Sequence, residues 1–249
     1  MTETLHENTA ELSALEQARE RLIVAMDVPD AHNAMELVSR LAGTCKWLKV
    51  GLELYVAAGP RMVEALIDQG YDVFLDLKLH DIPNTVAGAA KTAATLGAKM
   101  LTLHAGGGPA MLTAAGDALA GVKNAPQLLA VTVLTSMDGE QLKSVGVERS
   151  PADQVIALAK MGMASGINGF VCSPQEVAAM RALTGPEGVL VIPGIRPAGA
   201  AVGDQKRVAT PGDAIKQGAS YLVVGRPITH AANPAEAAEA VLAEIAAAL

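Results

Sequence analysis

The stretch YDVFLDLKLHDIPNTV, residues 71–86, sets Asp76, Lys78 and Asp81 into an otherwise apolar run. Side chains alternate across a strand, so Phe74, Asp76 and Lys78 share one face, and Val73, Leu75 and Leu77 share the other. The wholly aliphatic face suits contact with covering helices, which leaves Asp76 and Lys78 on an interior face. An ion pair buried there for stability alone is costly and rarely a net gain. Placed beside a further lysine and a further acid, the pair is more economically explained by function. Two kinds of chemistry use such a set. A lysine can supply fixed positive charge and a proton, or the acids at strand ends can ligate Mg²⁺. Asp81 lies three residues past Lys78 and just before Pro83, so it belongs to a loop. Pro83 pushes Ile82 toward an extended conformation, and Asn84 and Thr85 start the next helix.

The elements that must position these residues recur along the chain. β-rich apolar runs occur at 22–28, 46–50, 71–78, 99–105, 128–135, 169–173, 189–194 and 221–227. Stretches of helical period lie near 30–42, 59–69, 84–96, 108–120, 151–165, 174–183, 211–217 and 234–248. Pro29-Asp30, Ser150-Pro151 and Asn233-Pro234 mark helix starts, and Gly70, Gly97 and Gly218 close helices before the next strand. Near-continuous apolar strands alternating with helices predict parallel strands covered by helices. Eight such units in 249 residues match the size of an α/β (β/α)₈ barrel. A doubly wound open sheet is the competing architecture. No linker or low-complexity segment divides the chain, so residues 1–249 are expected to form one barrel domain, with residues 1–20 as an extra amphipathic helix.

In such a barrel the active site lies at the C-terminal ends of the strands. Those ends carry Asp27, Lys49, Asp76 with Lys78, His104, Ser136, Pro193-Gly194 and Gly225-Arg226. Taken singly, Asp27 can cap the helix that begins near Asp30, and His104 can be a hydrogen-bonded core histidine. Their convergence on one rim is the argument. Gly225 and Arg226 close the eighth strand, where barrels often bind phosphate, and Arg226 suits bidentate contact with phosphate oxygens. The long Gly- and Ala-rich stretch 194–213 is a candidate lid over that end.

Composition narrows the partners. A formal charge of −7 and only 2% aromatic residues give no electrostatic or stacking case for nucleic acid. Small phosphorylated ligands need only local positive charge. Cys45 and Cys172 have no metal-type spacing and read as buried thiols in a reducing compartment. The N-terminal residues MTETLHENTAELSALEQARE carry acids where a signal peptide carries bases, and no run has the length of a membrane span. A cytoplasmic protein is expected.

The motifs DLKLHDIPNTV, VAMDV, LKVGLELY, LTLHAGGG, TVLTSMD, VIPGIRP and VVGRPI together resemble the orotidine 5′-phosphate decarboxylase family, from the first strand to the eighth. Asp-x-Lys-x-x-Asp is shared with related sugar-phosphate barrel enzymes, and the continuation Ile82-Pro83-Asn84-Thr85 is the more specific part. The resemblance implies decarboxylation of orotidine 5′-phosphate to UMP without metal or cofactor. Asp27 and Lys49 would hold the ribose hydroxyls and support the charged array. Asp76 would lie near the substrate carboxylate, and Lys78 would protonate C6. Asp81, Ile82 and Thr85 would be lent to the neighbouring subunit of a homodimer. Ser136 would read the pyrimidine, and Pro193, Gln205, Gly225 and Arg226 would line the phosphate end and its lid. A metal-dependent sugar-phosphate enzyme and a non-catalytic phosphate-binding barrel are the competing functions.

Overall fold

Eight parallel strands form from the eight apolar runs: β1 (Leu22–Ala25), β2 (Trp47–Gly51), β3 (Asp72–Leu79), β4 (Met100–His104), β5 (Gln127–Val131), β6 (Gly169–Val171), β7 (Val189–Ile192) and β8 (Tyr221–Val224). The computed structural model describes residues 13–197 and 208–249. Each strand pairs with its sequence neighbour, and β1 also pairs with β8 through Leu22–Leu222, Ile23–Val223 and Val24–Val224. That last ladder closes the ring and rules out the open doubly wound sheet. The architecture is a (β/α)₈ barrel.

Period-2 alternation sorts the side chains into two cores. Inside the ring Ile23, Trp47, Phe74, Met100, Leu129 and Val223 pack on one another. Outside it Leu22, Val24, Val73, Leu75, Leu101 and Leu103 pack against the helices. The parity read from the third apolar run therefore holds for Phe74, on the inner side, and for Val73 and Leu75, on the outer side. Trp47 and Tyr221, the first residues of β2 and β8, meet edge to face at 5.5 Å and plug the barrel floor.

The helices start and stop where local chemistry directs. Asp30 accepts the Asn33 N–H at 2.8 Å, Ser150 accepts the Asp153 N–H at 3.1 Å, and Asn233 caps the helix Pro234–Ala246. Each satisfies an orphan donor of a first turn. Gly70, Gly97 and Gly218 have φ of 88°, 83° and 104°, which a side chain would resist. Arg181 fixes the floor: its guanidinium donates to the carbonyls of Gly185, Gly188 and Gly218, joining the helix Val177–Thr184 to the turns before β7 and β8.

Three differences from the sequence reading bear on the site. Strands β1, β5 and β8 stop at Ala25, Val131 and Val224, so Asp27, Ser136 and Arg226 lie beyond the sheet. Arg226 instead opens a short helix, Arg226–Thr229; two more short helices, Leu52–Ala58 and Gly139–Ser144, follow β2 and β5. Of the expected N-terminal helix, the described part is Ala14–Arg19, with a capping box between Ser13 and Glu16. Among the described residues, no helix is long and apolar enough to cross a membrane. Cys45 and Cys172 are both buried and form no disulfide, and burial pushes the Cys45 thiol up to about 12.

Candidate active site

Strands β2 and β3 and the segment after β1 bring four charges into a line at the barrel mouth. The Lys49 ammonium lies 2.9 Å from Asp27 Oδ1 and 3.6 Å from Asp76 Oδ2. Lys78 Nζ donates to Asp76 Oδ1 at 2.8 Å. Lys49 and Asp76 are buried, at 8% and 9% exposure, whereas Asp27 is open to solvent. Charges alternate along the chain Asp27–Lys49–Asp76–Lys78, so each buried ion faces an opposite one and its desolvation is offset.

Asp76 is pulled in two directions. Burial raises its pKa, but the Lys49 and Lys78 charges and the hydrogen bonds from Lys78 and Thr102 outweigh burial and hold it below the ordinary carboxylate value. A carboxylate with a depressed folded pKa stabilises the fold above its unfolded pKa, and that contribution is lost as pH falls through the folded one. The urea midpoint of the wild-type chain should therefore drop more steeply below about pH 4 than that of Asp76→Asn. Parallel pH dependences for the two proteins would contradict this.

The backbone at Lys78 departs from a regular strand. Its φ is 49°, and the β3–β4 register slips between Leu75–Leu101 and Leu79–Leu103. The Lys78 N–H donates to Thr102 Oγ1 at 2.8 Å, and the Thr102 hydroxyl donates to Asp76 Oδ1 at 3.0 Å. Thr102 is fully buried on the inward face of β4. Sequence reading passed over it, although the alternation of Met100, Thr102 and His104 against Leu101 and Leu103 was there to be used. Gly51, the last residue of β2, was missed too: a Cβ there would lie 2.8 Å from Lys49 Nζ and 3.3 Å from Asp27 Oδ1. No sequence signal marks it, because the constraint comes from where the lysine head sits.

The array forms the polar wall of a cavity of about 310 Å³ whose other walls are largely apolar, among them Phe74, Val131, Val171 and Val191. A second cavity of about 320 Å³ shares Asp27, Lys49 and Pro193 with the first and continues to Gly194, Arg196, Gly225, Arg226 and His230. Arg196 lies inside the VIPGIRP motif and the 194–213 stretch, where the absence of strand or helix period leaves no sign that it faces the site. Burial and, second, the nearby Arg226 charge hold its pKa below the usual arginine value. Two guanidiniums that repel each other at one end of a cavity make a place for an anion.

Other sequence-predicted residues are not at these walls. Ser136 is exposed in the turn after β5, while its neighbours Leu134 and Thr135 line the first cavity. Asp81, Ile82 and Thr85 are all exposed and line neither cavity. Asp81 Oδ1 accepts the Ile82 N–H, and among the described residues Asp81 makes no ion pair. Ile82 is extended, with ψ of 151°, and precedes the helix Pro83–Thr95. His104 sits at the rim, stacked on His80 at 5.2 Å, and its Nδ1 accepts the Gly106 N–H. Gln205 and the middle of the 194–213 stretch lie outside the described residues; the flanks of that stretch meet where the Arg196 N–H donates to the Ala209 carbonyl at 2.9 Å.

The chain has counterparts among known proteins. The model of the orotidine 5′-phosphate decarboxylase / HUMPS family matches residues 20–241. The chain belongs to that family. Curated family members named orotidine 5′-phosphate decarboxylase include one from Moorella thermoacetica, 51% identical over 92% of this chain and 93% of its own length. Another, from Halorhodospira halophila, is 52% identical over 92% of this chain and 97% of its own. Among solved structures, orotidine 5′-phosphate decarboxylase from Lactobacillus acidophilus superposes with a TM-score of 0.80 at 40% identity, covering 91% of this chain and 99% of that one. The family's matched region thus takes in all eight strands and the whole Asp27–Lys49–Asp76–Lys78 line.

Proposed function

We propose that this chain decarboxylates orotidine 5′-phosphate to UMP and carbon dioxide, a step of pyrimidine nucleotide synthesis, with Lys78 as the proton donor. The observation that carries the reading is the Lys78 ammonium held against Asp76 at the wall of a largely apolar cavity. The C6–carboxylate bond breaks heterolytically and leaves its electron pair on C6. The Lys78 ammonium stabilises that charge and then gives C6 a proton, and solvent restores the proton to the amine. Fixed charges in a water-poor site do this without reorganising as the charge develops. Asp76 accepts a hydrogen bond from the Lys78 ammonium at 2.8 Å and so fixes where it stands. Lys49 and Asp27, between the two cavities, suit the ribose hydroxyls, and the Arg196–Arg226 end suits the phosphate. Phosphate binding far from C6 supplies binding energy that can be expressed as rate.

Asp81 completes the site from a neighbouring copy in this reading. Support comes from its exposure beside Ile82, which is 66% exposed, and from the apolar Leu52 and Val56, at 54% and 81% exposure, on the helix after β2. Exposed aliphatic residues of this size, on the loop after β3 and on the helix after β2, are suited to burial in a homodimer.

The deciding assay follows loss of orotidine 5′-phosphate and formation of UMP by the purified protein. Inactivity that persists after EDTA treatment and readdition of magnesium sinks the assignment. Turnover of a sugar phosphate abolished by the chelator, without any orotidine phosphate turnover, would establish the metal-dependent alternative instead. The donor set weighs against that alternative: Asp27 and Asp76 are each occupied by a lysine, and among the described residues no three His, Cys, Asp or Glu side chains gather as metal donors. For the phosphate end, Arg226→Ala should raise KM for the nucleotide by about 10–100-fold, the worth of a charged hydrogen-bond pair. The penalty should vanish with the unphosphorylated nucleoside as substrate; an equal penalty on both would remove Arg226 from phosphate recognition.

A further inference from the structure

We infer that Thr102 is a positioning residue for the decarboxylation proposed above, on which this inference rests: its hydroxyl couples the backbone of Lys78 to the carboxylate of Asp76. The geometry leaves the hydroxyl one arrangement. Its oxygen accepts the Lys78 N–H at 2.8 Å, so its own proton is free to point only at another acceptor, and Asp76 Oδ1 lies 3.0 Å away. Lys78 Nζ donates to the same Oδ1 at 2.8 Å. A closed circuit results: Lys78 backbone to Thr102, Thr102 to Asp76, and Asp76 back to the Lys78 ammonium.

The circuit answers two structural needs at once. Lys78 has φ of 49°, a conformation unfavourable for a residue with a side chain, at the point where the β3–β4 ladder slips. Strained backbone persists only where surroundings determine it, and the Thr102 oxygen takes the N–H that the slipped ladder no longer uses. At the other end, a donor aimed at Oδ1 fixes the plane of the Asp76 carboxylate while Oδ2 faces Lys49 at 3.6 Å. Thr102 has no solvent exposure and lies outside the walls of both cavities, so it acts through Asp76 and Lys78 without touching the substrate.

Thr102→Val keeps the shape and removes both hydrogen bonds, whereas Thr102→Ser keeps the hydroxyl. With orotidine 5′-phosphate, Thr102→Val should lower kcat by roughly 30–100-fold, the scale of a catalytic group displaced by a fraction of an ångström to one ångström. KM should move by less than about threefold, since no substrate contact is lost. Thr102→Ser should recover most of the lost turnover. The acid–base titration of the Asp76 carboxyl, followed by NMR of ¹³C-labelled aspartate, should move upward in the valine variant, which lacks the Thr102 hydrogen bond that helps hold it low, and return in the serine variant. That titration needs no substrate, so it separates this inference from the activity assignment: a wild-type chain inactive on orotidine phosphate sinks the assignment alone. A valine variant with wild-type kcat and an unmoved Asp76 titration overturns the role of Thr102. Should the valine variant fail to fold, hydrogen exchange in the wild-type chain decides: protection of the Lys78 amide supports the circuit, and rapid exchange overturns it.

Discussion

Lys78→Ala should reduce kcat for orotidine 5′-phosphate by at least about 10⁴-fold. Two separable contributions make the effect this large. General acid catalysis by a positioned side chain is worth roughly 10²–10⁴-fold. Removing a preorganised charge that faces a developing anion costs a further factor of about 10²–10³. Both vanish with one ammonium, and the other lysine of the array does not replace it: Lys49 Nζ is engaged by Asp27 at 2.9 Å and stands on the far oxygen of Asp76. The variant leaves Asp76 with a single cationic neighbour, so loss of substrate affinity is also expected, from a carboxylate less well neutralised. Single-turnover measurement at saturating substrate separates that effect from the chemical step, and a thermal melt verifies that the barrel is intact. Normal turnover by folded Lys78→Ala would end the proton-donor role, whatever the overall reaction proved to be.

The second large effect concerns two inactive proteins that should restore each other. If Asp81 serves the neighbouring copy's site, Asp81→Ala and Lys78→Ala homodimers are each inactive at both sites. Exchange of subunits produces a heterodimer in which one site carries both defects and the other carries none. Random exchange of equal amounts should therefore recover roughly a quarter of wild-type activity, as the symmetry of a twofold assembly requires. An array completed within one chain would give no recovery at all. The exposed position of Asp81, without an ion pair among the described residues, is what makes this outcome expected. Sedimentation of the mixture checks that exchange occurred, and a fully active monomer would refute the shared site.

Much of this was readable in residue types and spacing. Alternation put Phe74 and Asp76 inside the barrel and Val73 and Leu75 outside because the strand is regular up to that point. Lys78 reaches the cavity wall by another route: the strand slips there and the backbone turns left-handed, which period-2 counting cannot foresee. Strand ends were read too long at Val28, Thr135 and Pro227 because apolar runs continue past the last ladder hydrogen bond at the barrel mouth. The helices Leu52–Ala58 and Arg226–Thr229 are too short to show a period. Thr102 is a different kind of miss, since its inward parity on β4 was available and only its purpose was not. Arg196 matters through its nearness to Arg226, past the end of β8, and Gly51 through where Asp27 draws the Lys49 head on its own strand; neither position is written in the local neighbourhood of the chain.

The pairing of β1 with β8 also dictates an order of events during synthesis. Lys49, Asp76, Lys78 and Thr102 sit on three consecutive strands, β2 to β4, and can meet once the first 104 residues have been made. Residue 22 finds its partner only when residue 222 exists, so ring closure waits for nearly the entire chain, a long-range contact with a high entropic cost. Asp27 and Arg226 come from opposite ends of the sequence and face one cavity. A nascent or truncated chain can thus possess its proton donor well before it possesses the end that would hold phosphate, and the two halves of the site become one only at the final ladder.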